Sequence, residues 1–562
     1  MKKSHRAISL AAVCALILCA GCVPQKASET PASSAAPDSS AASSAAGSAF
    51  AASGPSEPVT LSYWATWDGG SADVVSDYDE KLCYQVAQEA TGIDIQWIHP
   101  PQGQDKEQFN LLVVSDSLPD IIEYSWETNY PGGAEGAISS NIIIPLNDYI
   151  ETDMPNYAAY LKKFPEVERM VLTDTSKHYC IPYIYTATPL DSAQWQDING
   201  RVPAYETYIG LTIRQDWIED LGLAMPVTLE DWYVTLRAFK EQKGAEAPLS
   251  ITLPFLNETQ AFASAYGIAT GFYEDNRVVK FGPYEAAYRD YLAYLNRLYS
   301  EGLLDADFAI IDNKAFSAKV LSDKAGAWSG YVSTHLGVFH DQLHESDPNT
   351  RFYPVGITNP VLNEGDTLRY KQSSYPFRNA GAALTTSNQK IADSLRFLDY
   401  AWSVEGNTVL NWGVEGDSYE MKDGWPVFTD RIAHNPDGLS PTSAFEKIRK
   451  QNGPFPMDHQ TRLISKGSYT TPESLRALTT WETTNGTEPG GLPPVTILPE
   501  ESTQYASLYS EISTYVDEMK VKFIMGAASL DEFDVFHENL KNMGMEEVLK
   551  IQQSALERYY NR

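Results

Sequence analysis

Val59-Thr60-Leu61-Ser62-Tyr63-Trp64, Ile93-Asp94-Ile95-Gln96-Trp97-Ile98 and Pro119-Asp120-Ile121-Ile122-Glu123-Tyr124 decide the fold. Each is a short run rich in β-branched and aromatic residues, and the first alternates apolar with polar side chains, as a half-buried strand does. Between the first two runs lies Asp79 to Ala90. There Leu82, Cys83, Val86, Ala87 and Ala90 share one helical face, and Gly92 supplies the stop. Phe109 to Val114 reads as a short helix between the second and third runs. Strand–helix–strand–helix–strand implies an α/β fold with a mainly parallel sheet, because parallel neighbours need a crossover and a helix is the usual one.

The same reading extends downstream. A helix-rich stretch from Leu146 to Thr173 leads into the strand-like Tyr179-Cys180-Ile181-Pro182-Tyr183. Tyr208 to Ile213 is a further strand, and Trp217 to Gly222 and Thr228 to Glu241 are helices. In the second, Asp231 stands near the start and Leu236 and Phe239 lie on its face. Tyr288 to Tyr299 is the clearest helix, with Tyr288, Tyr291, Leu292, Leu295, Leu298 and Tyr299 on one stripe. A strand (Ala380 to Thr385), a helix (Ile391 to Val404) and a long aromatic loop region follow. Helices at Ser502 to Ile524, Leu530 to Asn542 and Met545 to Tyr559 end the chain. No tandem repeat is found.

Upstream, Lys2, Lys3 and Arg6 precede an apolar stretch, Ala7 to Leu18, that is too short to span a bilayer. That order is a secretory signal. Its end, Leu18-Cys19-Ala20-Gly21-Cys22, resembles the lipobox of bacterial lipoproteins, although Cys19 stands where that motif usually has Leu. The resemblance implies cleavage after residue 21, a diacylglyceryl thioether on Cys22 and work outside the cytoplasm. Residues 22–57 consist mostly of Ala, Ser and Pro, including Ser33-Ser34-Ala35-Ala36 and Ser43-Ser44-Ala45-Ala46. They offer too little apolar surface to offset the entropy of ordering. A flexible tether of that length spans about 30–35 Å.

About 500 of the 562 residues follow the tether, too many for one core, so two or more domains are expected. The formal charge of −32 excludes nucleic acid and anionic lipid as ligands. Cys83 and Cys180 are open to two readings, a bridge or two buried thiols. Zincin, nucleophile-elbow, P-loop and Cys-x-x-Cys signatures are absent. Abundant carboxylates leave a glycosidase pair as a third-ranked reading.

Several segments, in order, resemble the extracellular solute-binding proteins of bacterial ABC importers, in the large Gram-positive lipoprotein branch that includes oligosaccharide binders. They are Asp116-Ser117-Leu118-Pro119-Asp120, Pro145-Leu146-Asn147-Asp148-Tyr149-Ile150, Ile213-Arg214-Gln215-Asp216-Trp217-Ile218, Leu298-Tyr299-Ser300-Glu301-Gly302-Leu303-Leu304 and Asn411-Trp412-Gly413-Val414-Glu415-Gly416. The resemblance implies a monomeric, two-lobed periplasmic-binding-protein-like fold that closes on a small-molecule ligand by hinge bending. Lobe 1 takes residues 58–185 and lobe 2 residues 186–375. Residues 376–562 return to lobe 1 and add a helical C-terminal region. It further implies no catalysis, a carbohydrate ligand and an ABC permease as partner. A peptide ligand and a surface-sensor or structural role are the alternatives. Many such relatives carry an Asp-x-Asn-x-Asn-Gly-x-Asp calcium loop after the helix matching Thr228 to Glu241. Here Lys243-Gly244-Ala245-Glu246-Ala247-Pro248-Leu249 lacks the early oxygen ligands, and a hard cation needs about six oxygens. Neither metal nor cofactor is expected.

Parallel α/β sheets present ligands at the C-terminal ends of strands. Trp64, Trp67, Trp126, Trp328 and Tyr331 stand at such ends, and Trp412 and Trp481 are read in loops. A flat ring suits the apolar C–H face of a pyranose. Asp68, Glu123, Glu127, Arg378, Asn379 and Asp417 stand nearby as rim hydrogen-bonding groups. Arg214 and Asp216 are read as a mutual pair, and Asp120 as a turn residue serving backbone N–H groups.

Overall fold

The computed structural model describes residues 59–458 and 472–562, apart from 69, 116, 188–201, 204–206 and 373. Cys22, the signal region and the tether lie outside the described residues. The strand runs that open the body form as read: β1 (Val59–Ala65), β2 (Ile93–Ile98) and β3 (Ile121–Tyr124), with β1 parallel to both others. The helix between β1 and β2, Leu82–Thr91, stops at Gly92, whose φ of 67° suits a residue without Cβ and whose N–H reaches Gln88 O at 2.8 Å. Asp120 ties β3 to β1: its Oδ2 accepts from Ser62 N at 2.8 Å and from Ser62 Oγ at 2.9 Å.

β4 (Ile181–Ala187) joins this sheet and leaves it for a second one. That sheet contains β5 (Ile209–Arg214), β6 (Leu249–Ser250), β7 (Ala327–Tyr331) and β8 (Pro354–Ile357), ordered β8-β5-β7-β6. The chain returns through β9 (Phe377–Leu384) and β10 (Pro456–Asp458), giving the first sheet the order β10-β4-β9-β3-β1-β2. Both sheets are mixed, which corrects the expectation of mainly parallel ones. β9 runs antiparallel to β3 and β4, and β5 antiparallel to β7 and β8. The reason is topological. β9 enters from the second sheet at the edge where β4 departs, so it must run back against β4.

Each sheet has its own core. Leu61, Ile95, Ile122, Ile181 and Leu384 centre the first, and Ile213, Leu236, Phe239, Leu292, Leu295 and Phe523 the second. The α/β two-lobed architecture follows from these separate cores. The second core also takes residues 512–548 of the helical C-terminal region, including Ile512, Phe536, Met545 and Val548. The last helix, Met545–Asn561, starts in that core and ends with Tyr559 in the first.

Local chemistry explains the elements. Helix Leu229–Lys243 opens with a capping box in which Thr228 and Asp231 satisfy each other's backbone. Arg214 and Asp216 pair in two-pronged fashion, Nε–Oδ1 at 2.8 Å and Nη2–Oδ2 at 2.6 Å, both buried. Cys83 and Cys180 are both buried and unbridged, and burial pushes the Cys83 thiol up to about 12.

Candidate functional site

β1, β2, β3 and β4 run in one sense, so their C-terminal ends share an edge with the start of β9. Four segments converge there: Thr66-Trp67-Asp68 after β1, His99 after β2, Tyr185 in β4, and Arg378-Asn379 in β9. Two crossings leave this edge side by side. Tyr185 N donates to Pro376 O at 2.9 Å, Thr207 Oγ1 to Gln372 O at 2.9 Å, and Tyr208 N to Gln372 Oε1 at 3.1 Å. They deliver the chain to the starts of β5 and β9. At the β5 start, Tyr208 lies parallel to Tyr331, with ring centroids 6.0 Å apart.

The structure divides the expected ligand walls by exposure. Tyr331 is 37 % exposed and Trp67 is half-buried. Trp64 is 3 % exposed, edge-on to Tyr124 at 5.5 Å. Trp126, Trp328, Trp412 and Trp481 have no exposed surface, so in this conformation none of the four offers a face to a ligand. Trp126 packs against Phe109. Trp328 lies inside β7, parallel to Phe352 at 6.1 Å, its Nε1 donating to His335 O at 2.8 Å. Trp412 and Trp481 sit in helices Val404–Trp412 and Pro472–Thr484 rather than in loops. Ser403 caps the first of these, its Oγ accepting from Gly406 N at 3.0 Å. Asp417 pairs with Arg431 beside the small core of Trp412, Tyr419 and Phe428.

Asp68 and Glu123 lie under the edge as anchors. Asp68 accepts from Ser71 Oγ at 2.8 Å, Asn452 N at 3.0 Å and Gln451 N, and its Oδ1 lies 3.0 Å from the Tyr78 hydroxyl oxygen. Burial alone would raise its pKa. Lys81 and Lys450, with these hydrogen bonds, hold it below the usual carboxylate range. Glu123 accepts from Tyr63 OH at 2.8 Å, from Tyr183 OH and from Lys450 Nζ. Lys81 reaches Ser71 Oγ and Arg449 O, both at 2.9 Å. Three buried cations (Lys81, Arg449, Lys450) thus interleave with three buried carboxylates (Asp68, Glu123, Glu446). Removing one partner of such a pair costs about 3–5 kcal/mol, so residues 446–452 are fastened firmly beneath Trp67. Arg378 lies over the Tyr185 ring at 3.9 Å, and Asn379 adopts a φ of 54°. Glu246 pairs with Lys324 at 2.9 Å.

The sequence reading missed His99, Tyr78, Tyr208 and Lys450. His99 directly follows a strand, so the strand-end rule would have found it. Lys450 lies 327 residues from Glu123, and no local pattern announces that contact.

Two separate cores, two mixed sheets and paired crossings give a two-lobed α/β fold, which solved solute-binding proteins share. Its particular relatives are substrate-binding proteins of ABC transporters and lipoproteins. The fructooligosaccharide ABC transporter substrate-binding protein FusA of Streptococcus pneumoniae is 22% identical over 517 residues, 86% of this chain and 88% of FusA. Lipoprotein LipO of Bacillus subtilis is 22% identical over 377 residues, 64% of this chain and 68% of LipO. Among solved structures, an HMO-binding solute-binding protein of Bifidobacterium longum infantis has a TM-score of 0.68 at 18% identity, covering 89% of this chain and 99% of that one. The alginate-binding protein AlgQ2 has a TM-score of 0.66 at 23% identity, covering 90% of this chain and 99% of that one. No family model matches the chain.

Proposed function

We propose that this protein captures an oligosaccharide outside the cytoplasm and delivers it to the permease of an ABC transporter, without catalysing a reaction. The observation that carries the reading is its alignment with a fructooligosaccharide substrate-binding protein along 86% of the chain. Trp67 and Tyr331 are the stacking walls, one on each lobe. Tyr185, Tyr208, Arg378, Asn379 and Asn452 line the rim. Ligand bridging both lobes favours the closed form and shifts the population toward it. Cleavage before Cys22 and acylation of that residue hold the protein at the outer face of the membrane, and residues 22–57 give it reach to the permease.

The test is calorimetric titration of the body from residue 59 onward with a panel of fructo-, alginate-type and N-glycan-type oligosaccharides. For the glycan that binds, Trp67→Ala and Tyr331→Ala are each expected to weaken affinity about tenfold or more, a loss of about 1.4 kcal/mol. Trp412→Ala is expected to lower the melting temperature and leave the affinity of the folded protein unchanged. Unchanged affinity in both wall variants would overturn the site. A panel that gives heat only with peptides would overturn the carbohydrate assignment.

A further inference from the structure

Trp67 is held by an aromatic and hydrogen-bonded cradle, and one member of that cradle titrates. His99 lies 4.0 Å from Trp67 between ring centroids, the two planes inclined by 31°. Tyr78 closes on both rings, at 5.3 Å from Trp67 and 4.4 Å from His99. The Tyr78 hydroxyl pins the backbone on either side of Trp67, donating to Thr66 O at 2.8 Å and accepting from Asp68 N at 2.9 Å.

The state of His99 follows from its partners. Its Nδ1 lies 2.8 Å from Ala65 O. A carbonyl only accepts, so Nδ1 carries a proton. In the neutral ring Nε2 then holds the lone pair, and Nε2 is enclosed with no hydrogen-bond partner among the described residues. A second proton there would find no acceptor among them, and the ring would have to turn outward to hydrate it.

We propose that His99 is the positioning residue of the Trp67 platform, holding the indole in its ligand-ready orientation while the imidazole is neutral and releasing it on protonation. For its sugar arm this rests on the cleft reading above; for the platform itself it does not. The charged and titratable groups facing His99 come from every element around it. Burial is the largest influence and lowers the pKa from its ordinary value; the Ala65 carbonyl, Asp77 and Glu123 favour the proton without offsetting it, and Lys450 opposes the proton. Tyr78 and Asp68 are the neighbours on the platform loop. Capture would therefore be full at neutral pH and weaken as the medium acidifies past His99.

The experiment has a ligand-free arm and a ligand arm. In the first, emission from Trp67 is isolated as wild type minus Trp67→Phe and followed from neutral to acid pH. The expected result is a transition with a midpoint below 6.5, the ordinary imidazole value. It should be absent in His99→Phe, which keeps a flat ring and removes the proton. Acrylamide quenching of Trp67 at neutral pH should rise in His99→Ala and stay near wild type in His99→Phe. A pH-flat wild-type difference signal, or equal quenching in His99→Ala and wild type, overturns the proposal. In the ligand arm, kestose affinity should drop about tenfold in His99→Ala and become pH-independent in His99→Phe. If the ligand-free signals behave as expected while Trp67→Ala binds kestose as wild type does, the positioning role stands and the cleft reading falls.

Discussion

Glu127 shows how one buried group makes stability depend on pH. Its Oε1 is enclosed without a hydrogen-bond partner among the described residues, and burial pushes its carboxyl up to about 7, with Asp174 and Glu135 adding to the rise and Arg562 opposing it. The unfolded chain ionises Glu127 near the ordinary glutamate value of 4.5. The folded state is therefore penalised progressively as pH rises from 4.5 toward 7, and fully above that. Glu127→Gln is expected to raise the urea midpoint at pH 8 and to leave it little changed at pH 4.5. A gain that is equal at both pH values would show that ionisation is not its source. Among single residues, what the chain disclosed was position along a strand. Trp67 was legible because it directly follows an alternating run. The difference between Trp67 and the enclosed Trp126 was not legible, because both follow strands and only packing by Phe109 and Tyr130 separates them.

Helix Pro472–Thr484 lies on the second sheet because two glycines leave room for it. A Cβ on Gly210 would come within 2.3 Å of the Trp481 ring, and one on Gly356 within 2.3 Å of Ala477 Cβ. Trp481 Nε1 completes the contact by donating to Leu211 O at 3.1 Å. Gly210→Ala is thus expected to destabilise the protein by about 1–3 kcal/mol, the usual cost of overpacking, measured by urea unfolding. No measurable change would mean that the helix shifts freely on the sheet. Elements with a strong period, such as Tyr288–Ser300, appeared in the sequence almost to the residue. Trp412 and Trp481 were misread as loop residues because glycine and polar runs dilute the helical period around them, and burial rather than periodicity holds those helices in place.

The last helix binds the molecule's two cores together. Arg558 and Arg562 close on Asp174, whose side chain is 1 % exposed, with Arg562 Nη2 at 2.7 Å. Arg558→Ala with Arg562→Ala would leave that carboxylate buried without a cation. The expected cost is about 3–5 kcal/mol, seen as a lower melting temperature that Asp174→Asn partly restores. No recovery with Asp174→Asn would indicate that the arginines act through packing. The sequence by itself determined the alternation of strands and helices, the α/β class and the need for more than one core, because these depend on local period, composition and length. Tertiary structure alone decided the mixed strand directions, the enclosure of Trp126, Trp328, Trp412 and Trp481, and the union of Trp67, His99, Asp68 and Lys450 beneath one edge. Those outcomes depend on contacts between segments hundreds of residues apart, such as Asp68 with Asn452, and such contacts leave no periodic trace in either segment.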